Sequence, residues 1–250
     1  MPSKTVLILG GTQEARELAR RLTLELGRRL RVVTSLAGRR DAKPGLAGEM
    51  RVGGFGGIPG LAKYLADTGV DLVVDATHPF SAAISDHAAV ACTGAGVPRL
   101  QLRRPAWRMP AKADWIEVDS LAEAAEILPK FARRVLLTTG ARGLEAFAKL
   151  PGIWFLVRLI DAPKGPLPLA RHEVITGMPP YSLEDERALL KRHDIDTLVA
   201  KRSGGQATAA KITAAAEAKV KIVLIRRPPP EPGPQAETVD ECVAWVKNHL

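Results

Sequence analysis

Ile8-Leu9-Gly10-Gly11-Thr12-Gln13-Glu14-Ala15 closes the apolar run Thr5-Val6-Leu7-Ile8-Leu9 and opens the series Ala15, Leu18, Ala19, Leu22 and Leu26. A five-residue apolar run ending in glycines has the length of a buried strand, and apolar residues recurring every three or four positions lie on one face of a helix. Strand, glycine turn and helix in that order point the first N–H groups of the helix at one spot. Glycine lets the backbone come close to a pyrophosphate there. The spacing departs from G-x-G-x-x-G, because Thr12 takes the second glycine position and Ala15 the third. Thr12 is a candidate hydroxyl donor to a phosphate. A tight turn that binds nothing is the alternative reading.

Outward from this unit, short Val/Ile/Leu-rich runs alternate with helical periodicity along the whole chain, the pattern of parallel sheets with crossover helices. Strands are expected at 5–9, 31–35, 71–76, 99–102, 115–118, 135–138, 153–158, 197–200 and 221–225. Helices are expected at 14–26, 59–66, 80–93, 121–131, 184–193, 207–218 and 239–249, with another near Glu145. Ser120 with Glu123, Ser182 with Asp185 and Thr238 with Glu241 have the spacing of N-terminal caps. The stretch 103–112 contains two prolines and is the expected crossing between halves, while Pro228–Pro234 can be neither helix nor central strand. The expected fold is α/β: two Rossmann-like parallel-sheet domains, 1–108 and 109–250, facing each other across a cleft.

Composition narrows the function. The chain is 46% hydrophobic and 25% charged, which is ordinary for a globular protein and argues against disorder. No apolar stretch reaches the ~18 residues of a membrane span. The two cysteines, Cys92 and Cys242, have no metal-ligand spacing, so no metal site is expected and the expected compartment is the cytoplasm. A net charge of +9 calls for a polyanionic partner or a solvated basic surface. Nucleic-acid binders concentrate basic residues and add stacking aromatics, whereas this chain has 4% aromatics and scattered cations, so a small polyanion is favoured.

The end of the second strand selects among nucleotides. NAD sites place a carboxylate about 20 residues after the glycines, against the ribose 2′-OH. Ser35-Leu36-Ala37-Gly38-Arg39-Arg40 has none before Asp41. Ser35 and Arg39 instead supply the hydroxyl and guanidinium that a 2′-phosphate wants, which favours NADPH. Gly53-Gly54-Phe55-Gly56-Gly57 is a backbone without Cβ bulk, able to lie against a flat ligand. Asp75-Ala76-Thr77-His78-Pro79-Phe80 ends a strand with a histidine able to orient a nicotinamide or relay a proton, and with Pro79 suited to a first helical position.

Together, Gly10-Gly11-Thr12-x-Glu14-Ala15, Ser35-Leu36-Ala37-Gly38-Arg39, Gly53 to Gly57 and Asp75 to Phe80 resemble the precorrin-6A reductase family. So do Arg104-Pro105-Ala106-Trp107, Thr138-Thr139-Gly140, Lys201-Arg202-Ser203-Gly204-Gly205 with Thr208 and Lys211, and Arg226-Arg227-Pro228. The resemblance runs along nearly the whole chain in order. It implies reduction of the precorrin-6A macrocycle to precorrin-6B by NADPH in cobalamin biosynthesis, the hydride passing from nicotinamide C4 to the C18–C19 double bond. It adds Glu14, Thr77 and Pro79 to the cofactor side. The cobalt-precorrin-6A reductase of the anaerobic route and a non-catalytic nucleotide-binding module are the alternatives. The substrate, a tetrapyrrole with many carboxylates, calls for cations beside backbone donors. Lys201, Ser203, Gly204 and Gly205 offer these after one strand, and Thr139 and Gly140 repeat the layout after another. Arg103 and Arg104 are expected to clamp carboxylates and Trp107 to cover the ring face. His78 and Lys201 are candidate proton donors, with water or the ligand itself as alternatives.

Overall fold

The computed structural model describes residues 4–36, 38 and 47–250. They form two compact units, Met1–Pro105 with Pro228–Leu250, and Ala106–Arg227, so the chain passes between units twice. The first unit holds β1 (Lys4–Leu9), α1 (Gln13–Leu26), β2 (Leu30–Leu36), β3 (Glu49–Val52), α2 (Gly57–Asp67), β4 (Leu72–Asp75), α3 (Ala82–Ala95) and β5 (Arg99–Leu102). The second holds β6 (Trp115–Val118), α4 (Leu121–Ile127), β7 (Arg134–Leu137), β8 (Trp154–Leu159), β9 (His172–Thr176), α5 (Leu183–Arg192), β10 (Thr197–Lys201), α6 (Ala210–Glu217) and β11 (Lys221–Ile225). The chain then returns to the first unit with β12 (Gln235–Ala236) and α7 (Val239–Asn248).

Each unit is a six-stranded parallel sheet. The orders are β12-β5-β4-β1-β2-β3 and β6-β11-β10-β7-β8-β9. The expectation that 109–250 forms one domain therefore differs from the structure in its last 23 residues, Pro228–Leu250. Arg103 N donates to Ala236 O and Gln101 N to Pro234 O, which makes β12 the edge strand beside β5. The helix of that return, α7, lies on α1, tied by Lys247 to Glu25 at 2.7 Å and by Arg21 to Asp240.

Alternation along β1 explains why both faces of the first sheet are covered. Val6 and Ile8 pack with Leu18 and Leu22 of α1 and Val243 and Val246 of α7. Leu7 and Leu9 point the other way, to Leu61 and Leu65 of α2 and Ala88 of α3. Four successive buried apolar residues are what a doubly covered strand requires. In the second unit Leu136, Leu198 and Leu224 pack against Leu190 of α5 and Ile212 of α6. The predicted caps form: Ser120, Ser182 and Thr238 accept from the N–H of Glu123, Asp185 and Glu241. One start differs. Pro79 does not open α3, which begins at Ala82 after a turn.

The strand orders decide where ligands can go. In the first sheet β2 lies to one side of β1 and β4 to the other; in the second β8 and β10 flank β7 in the same way. Loops leaving the carboxyl ends of such central pairs diverge and leave a crevice. Those loops are Gly10–Thr12 and Ala76–Pro79 in one unit, and Thr138–Gly140 and Arg202–Gly205 in the other.

Candidate functional site

In the first unit the two glycines do different work. A Cβ on Gly10 would stand 2.9 Å from Thr34 Cγ2, so this glycine is required by the close packing of β1 on β2. Gly11 has φ +112° and nothing within 4 Å of where its Cβ would be, leaving open space over the turn. The N-terminus of α1 faces the same turn. Thr12 caps it, its hydroxyl accepting from Ala15 N at 3.1 Å and donating to Ala76 O at 2.7 Å. That proton is committed, so the expectation that Thr12 offers its hydroxyl to a phosphate gives way to a different role: Thr12 stitches the end of β1 to the end of β4. The open turn and the uncapped amides of the first helical turn fit a pyrophosphate.

Beside this turn Ser35, buried at the end of β2, accepts Gly10 N–H on its carbonyl at 2.9 Å and Arg51 Nη1–H on its hydroxyl at 3.2 Å. Ala37 and Arg39 lie outside the described residues. Arg51, at the end of β3, joins Ser35 here, and a cation just ahead of a glycine-rich loop is its mark in the sequence. Its guanidinium also binds the carbonyls of Gly53 and Gly54 and lies 3.8 Å from the centre of the Phe55 ring. Phe55 packs edge-on against Tyr64, which makes this a packed loop. Gly56, at φ +83°, precedes α2, and a Cβ on Gly60 would fall 1.8 Å from Phe55 O.

At the end of β4, Asp75 is 1% exposed and accepts from Thr77 N and Thr77 Oγ1 at 3.1 and 2.7 Å. His78 follows, half-buried; its Nδ1 accepts from Phe80 N at 3.3 Å, which leaves the proton of a neutral ring on Nε2. Arg103 lies in this unit and donates to Pro228 O; burial pushes its guanidinium below the ordinary arginine value, with Glu231 acting the other way. Arg104 and Glu14, expected on opposite ligands, form an ion pair with each other at 2.6 Å. They brace the start of α1.

The second unit brings Thr139, Gly140, Lys201, Ser203, Gly204 and Gly205 to adjacent strand ends, β7 and β10 being neighbours. Thr139 is 4% exposed and its hydroxyl has no hydrogen-bond partner. Gly140, Gly204 and Gly205 all have positive φ, turning backbone groups outward where a side chain would be strained. Lys201 is half-buried, and burial first, then the neighbouring Arg142 guanidinium, hold its ammonium below the ordinary lysine range. An anion placed there would relieve both effects. Trp107 differs from the expectation of a plate over a ring: it is buried in the core, 5.3 Å from the Lys211 ammonium, and its Nε1 donates to Gly205 O at 2.8 Å. Lys211 donates in turn to Thr138 Oγ1 at 3.1 Å. Trp107 and Lys211 thus hold the two loops from within, which their spacing in the sequence does not disclose.

Among the described residues no cluster of three or more His, Cys, Asp or Glu could hold a metal ion, and no helix is long and apolar enough to cross a membrane. Residues 5–247 match the family model of precorrin-6x reductases, CbiJ/CobK. A precorrin-6A reductase of Rhodococcus erythropolis is 44% identical over 245 residues, 96% of each chain. Another, from Mycobacterium tuberculosis, is 43% identical over 242 residues, again 96% of each. The solved structure of CobK precorrin-6A reductase superposes with a TM-score of 0.92 at 36% identity, over 98% of this chain and 97% of that one.

Proposed function

The chain belongs to the family of precorrin-6x reductases CbiJ/CobK, and from that premise we propose how its two units divide the reduction of precorrin-6A. It is an oxidoreductase of cobalamin biosynthesis, dependent on a nicotinamide nucleotide. In our reading that nucleotide is NADPH, carried by the first unit, and the macrocycle is carried by the second.

The observation that supports this division is positional. In the first sheet the glycine turn after β1 and the loop Ala76–Pro79 after β4, and in the second sheet the glycine turns after β7 and β10, follow the strands that flank the switch point, where open α/β sheets take their ligands. The turn at Gly10 and Gly11, with the N-terminus of α1, would take the pyrophosphate. Ser35 and Arg51, with Arg39 four positions after Ser35 in the sequence, would take the 2′-phosphate, since β2 ends without a carboxylate. Gly53, Gly54, Phe55 and Gly56 would flank the adenosine, and Thr77, His78 and Pro79 the nicotinamide side. When bound, NADPH supplies a hydride from nicotinamide C4 for the C18–C19 double bond of the macrocycle.

The second unit supplies cations and turned backbone for the carboxylates. Lys201 and Arg142 offer charge, and Thr139 and the turn Ser203–Gly205 offer donors, with Trp107 fixing Gly205 from below. Electrostatic holding of this kind sets the ring in place and leaves hydride transfer to geometry. The proton that completes the reduction has two candidate sources in this chain, His78 Nε2 and Lys201 Nζ. Anaerobic incubation with precorrin-6A tests the reading: NADPH absorbance should fall in step with the change in the macrocycle spectrum. Equal rates with NADH would remove the 2′-phosphate part, and no turnover with either nucleotide would remove the whole.

A further inference from the structure

A polar floor lies beside the nucleotide turn, on the β4–β5 side of the first sheet, that none of the roles above uses. Gln101 of β5 is 9% exposed. Its Nε2 donates to Asp75 Oδ2 at 3.5 Å, while the other oxygen of Asp75 is engaged by Thr77. A carboxylate only accepts, so the amide must turn its NH2 toward Asp75 and its carbonyl oxygen away. That oxygen, Oε1, is buried and has no hydrogen-bond partner. Buried acceptors left without a donor are rare and ask for an explanation.

The explanation lies next to it. Gln101 lines a cavity of about 20 Å³ together with Thr77, His78, Arg103 and Pro228, all of the first unit. A cavity of that size admits roughly one water-sized group. It sits across the switch point from Ser35. A dinucleotide whose pyrophosphate lies on the turn after β1, and whose adenosine runs toward β2 and β3, carries its other base toward β4 and β5. That base is nicotinamide, and its carboxamide ends in an NH2 of the size the cavity takes, with protons to donate.

We infer that Gln101, held in orientation by Asp75, accepts a hydrogen bond from the carboxamide NH2 of the nicotinamide and so fixes the rotation of the ring. Gln101 is then a residue that selects the amide over isosteres lacking the donor. The inference rests on the reading of the first unit as the nucleotide site, and the experiment separates the two.

The intact protein is titrated calorimetrically with NADP+, with its 3-acetylpyridine analogue, in which a methyl replaces the NH2, and with adenosine 2′,5′-bisphosphate, which has no nicotinamide. The wild type should bind NADP+ about tenfold more tightly than the analogue, the scale of losing one buried hydrogen bond. Gln101→Met should bring the two within about twofold of each other by weakening NADP+, and should leave the bisphosphate affinity unchanged. Gln101→Asn keeps the amide but withdraws it by one methylene, and should lose the discrimination too; it serves if the Met variant does not fold. A merely structural glutamine would not alter the ratio of two ligands. A wild type indifferent to the analogue, or a ratio that survives both substitutions, would mean that the cavity holds only water and would overturn the inference. If the bisphosphate and NADP+ both fail to bind the wild type, the nucleotide reading itself fails.

Discussion

Thr12→Val separates two roles that the sequence alone leaves superposed. Valine keeps the shape of threonine and removes its hydroxyl. In the structure that hydroxyl accepts from Ala15 N and donates to Ala76 O, the latter at a residue only 1% exposed. Loss of an N-cap costs ~1 kcal/mol, and a buried carbonyl left without its donor a further ~1–3 kcal/mol, about 2–4 kcal/mol in all. With a urea slope of roughly 2 kcal/mol per molar, the unfolding midpoint of the first unit should fall by about 1–2 M. Trp245 on α7 lies in that unit and the other three tryptophans in the second, so 5-fluorotryptophan labelling gives each unit its own resonances in a urea series. Thr12→Ser, which retains both hydrogen bonds, should restore the midpoint. Affinity for NADP+ in the absence of urea should stay within about threefold, less than the tenfold that losing a phosphate contact of roughly 1.4 kcal/mol would bring. An unchanged midpoint with a tenfold loss of NADP+ affinity would refute this, and would return the hydroxyl to the phosphate.

Other expectations follow from the second unit. An anion beside Lys201 raises a pKa that burial and Arg142 depress below the ordinary 10.5, so macrocycle binding takes up a proton between the depressed and restored values. KM for the macrocycle should therefore rise as pH climbs through that window, while KM for NADPH stays level. Lys201→Arg, permanently charged, should flatten the macrocycle profile, and an unchanged profile in that variant would contradict the role. Arg158 and Glu186 form an ion pair at 2.7 Å with side chains 9% and 1% exposed, and Tyr181 lies over the guanidinium. Glu186→Gln leaves that cation buried with a neutral partner, and should cost about 3–5 kcal/mol, or roughly 10 °C or more in the melting of the second unit. A drop below about 2 °C in differential scanning calorimetry would show that Arg158 finds another partner.

The parts of the fold that the sequence discloses are those buried on both sides. Val6 to Leu9, Leu72 to Val74 and Leu198 to Ala200 are apolar without interruption because helices cover both faces of their strands. β3, β9 and β12 escape such a reading for one shared reason. Each is an edge strand, and Glu-Met-Arg-Val, His-Glu-Val-Ile-Thr and Gln-Ala have no apolar run because one edge and much of their surface stay wet. Missing β12 also concealed the return of Pro228–Leu250 to the first sheet. A helix reads the same whichever sheet it lies on.

The candidate site was legible where backbone chemistry decides it, at Gly11, Gly140 and Gly204–Gly205, since a positive φ at the end of a strand leaves its mark as glycine. It was not legible where a side chain's partner comes from a distant strand. Thr12 is committed to Ala76, Glu14 to Arg104, Trp107 to Gly205 and Gln101 to Asp75, and no spacing along the chain announces these pairs.

The division of ligands between the units can be measured amide by amide. In 15N-labelled protein, NADP+ should move the N–H resonances of Gly11, Gln13, Glu14 and Gly53 and leave those of Gly140 and Ser203–Gly205 in place. A carboxylate-bearing tetrapyrrole added alone should do the reverse. NADP+ shifts centred on Gly140 and the Ser203–Gly205 turn, with none at Gly11, would contradict the account.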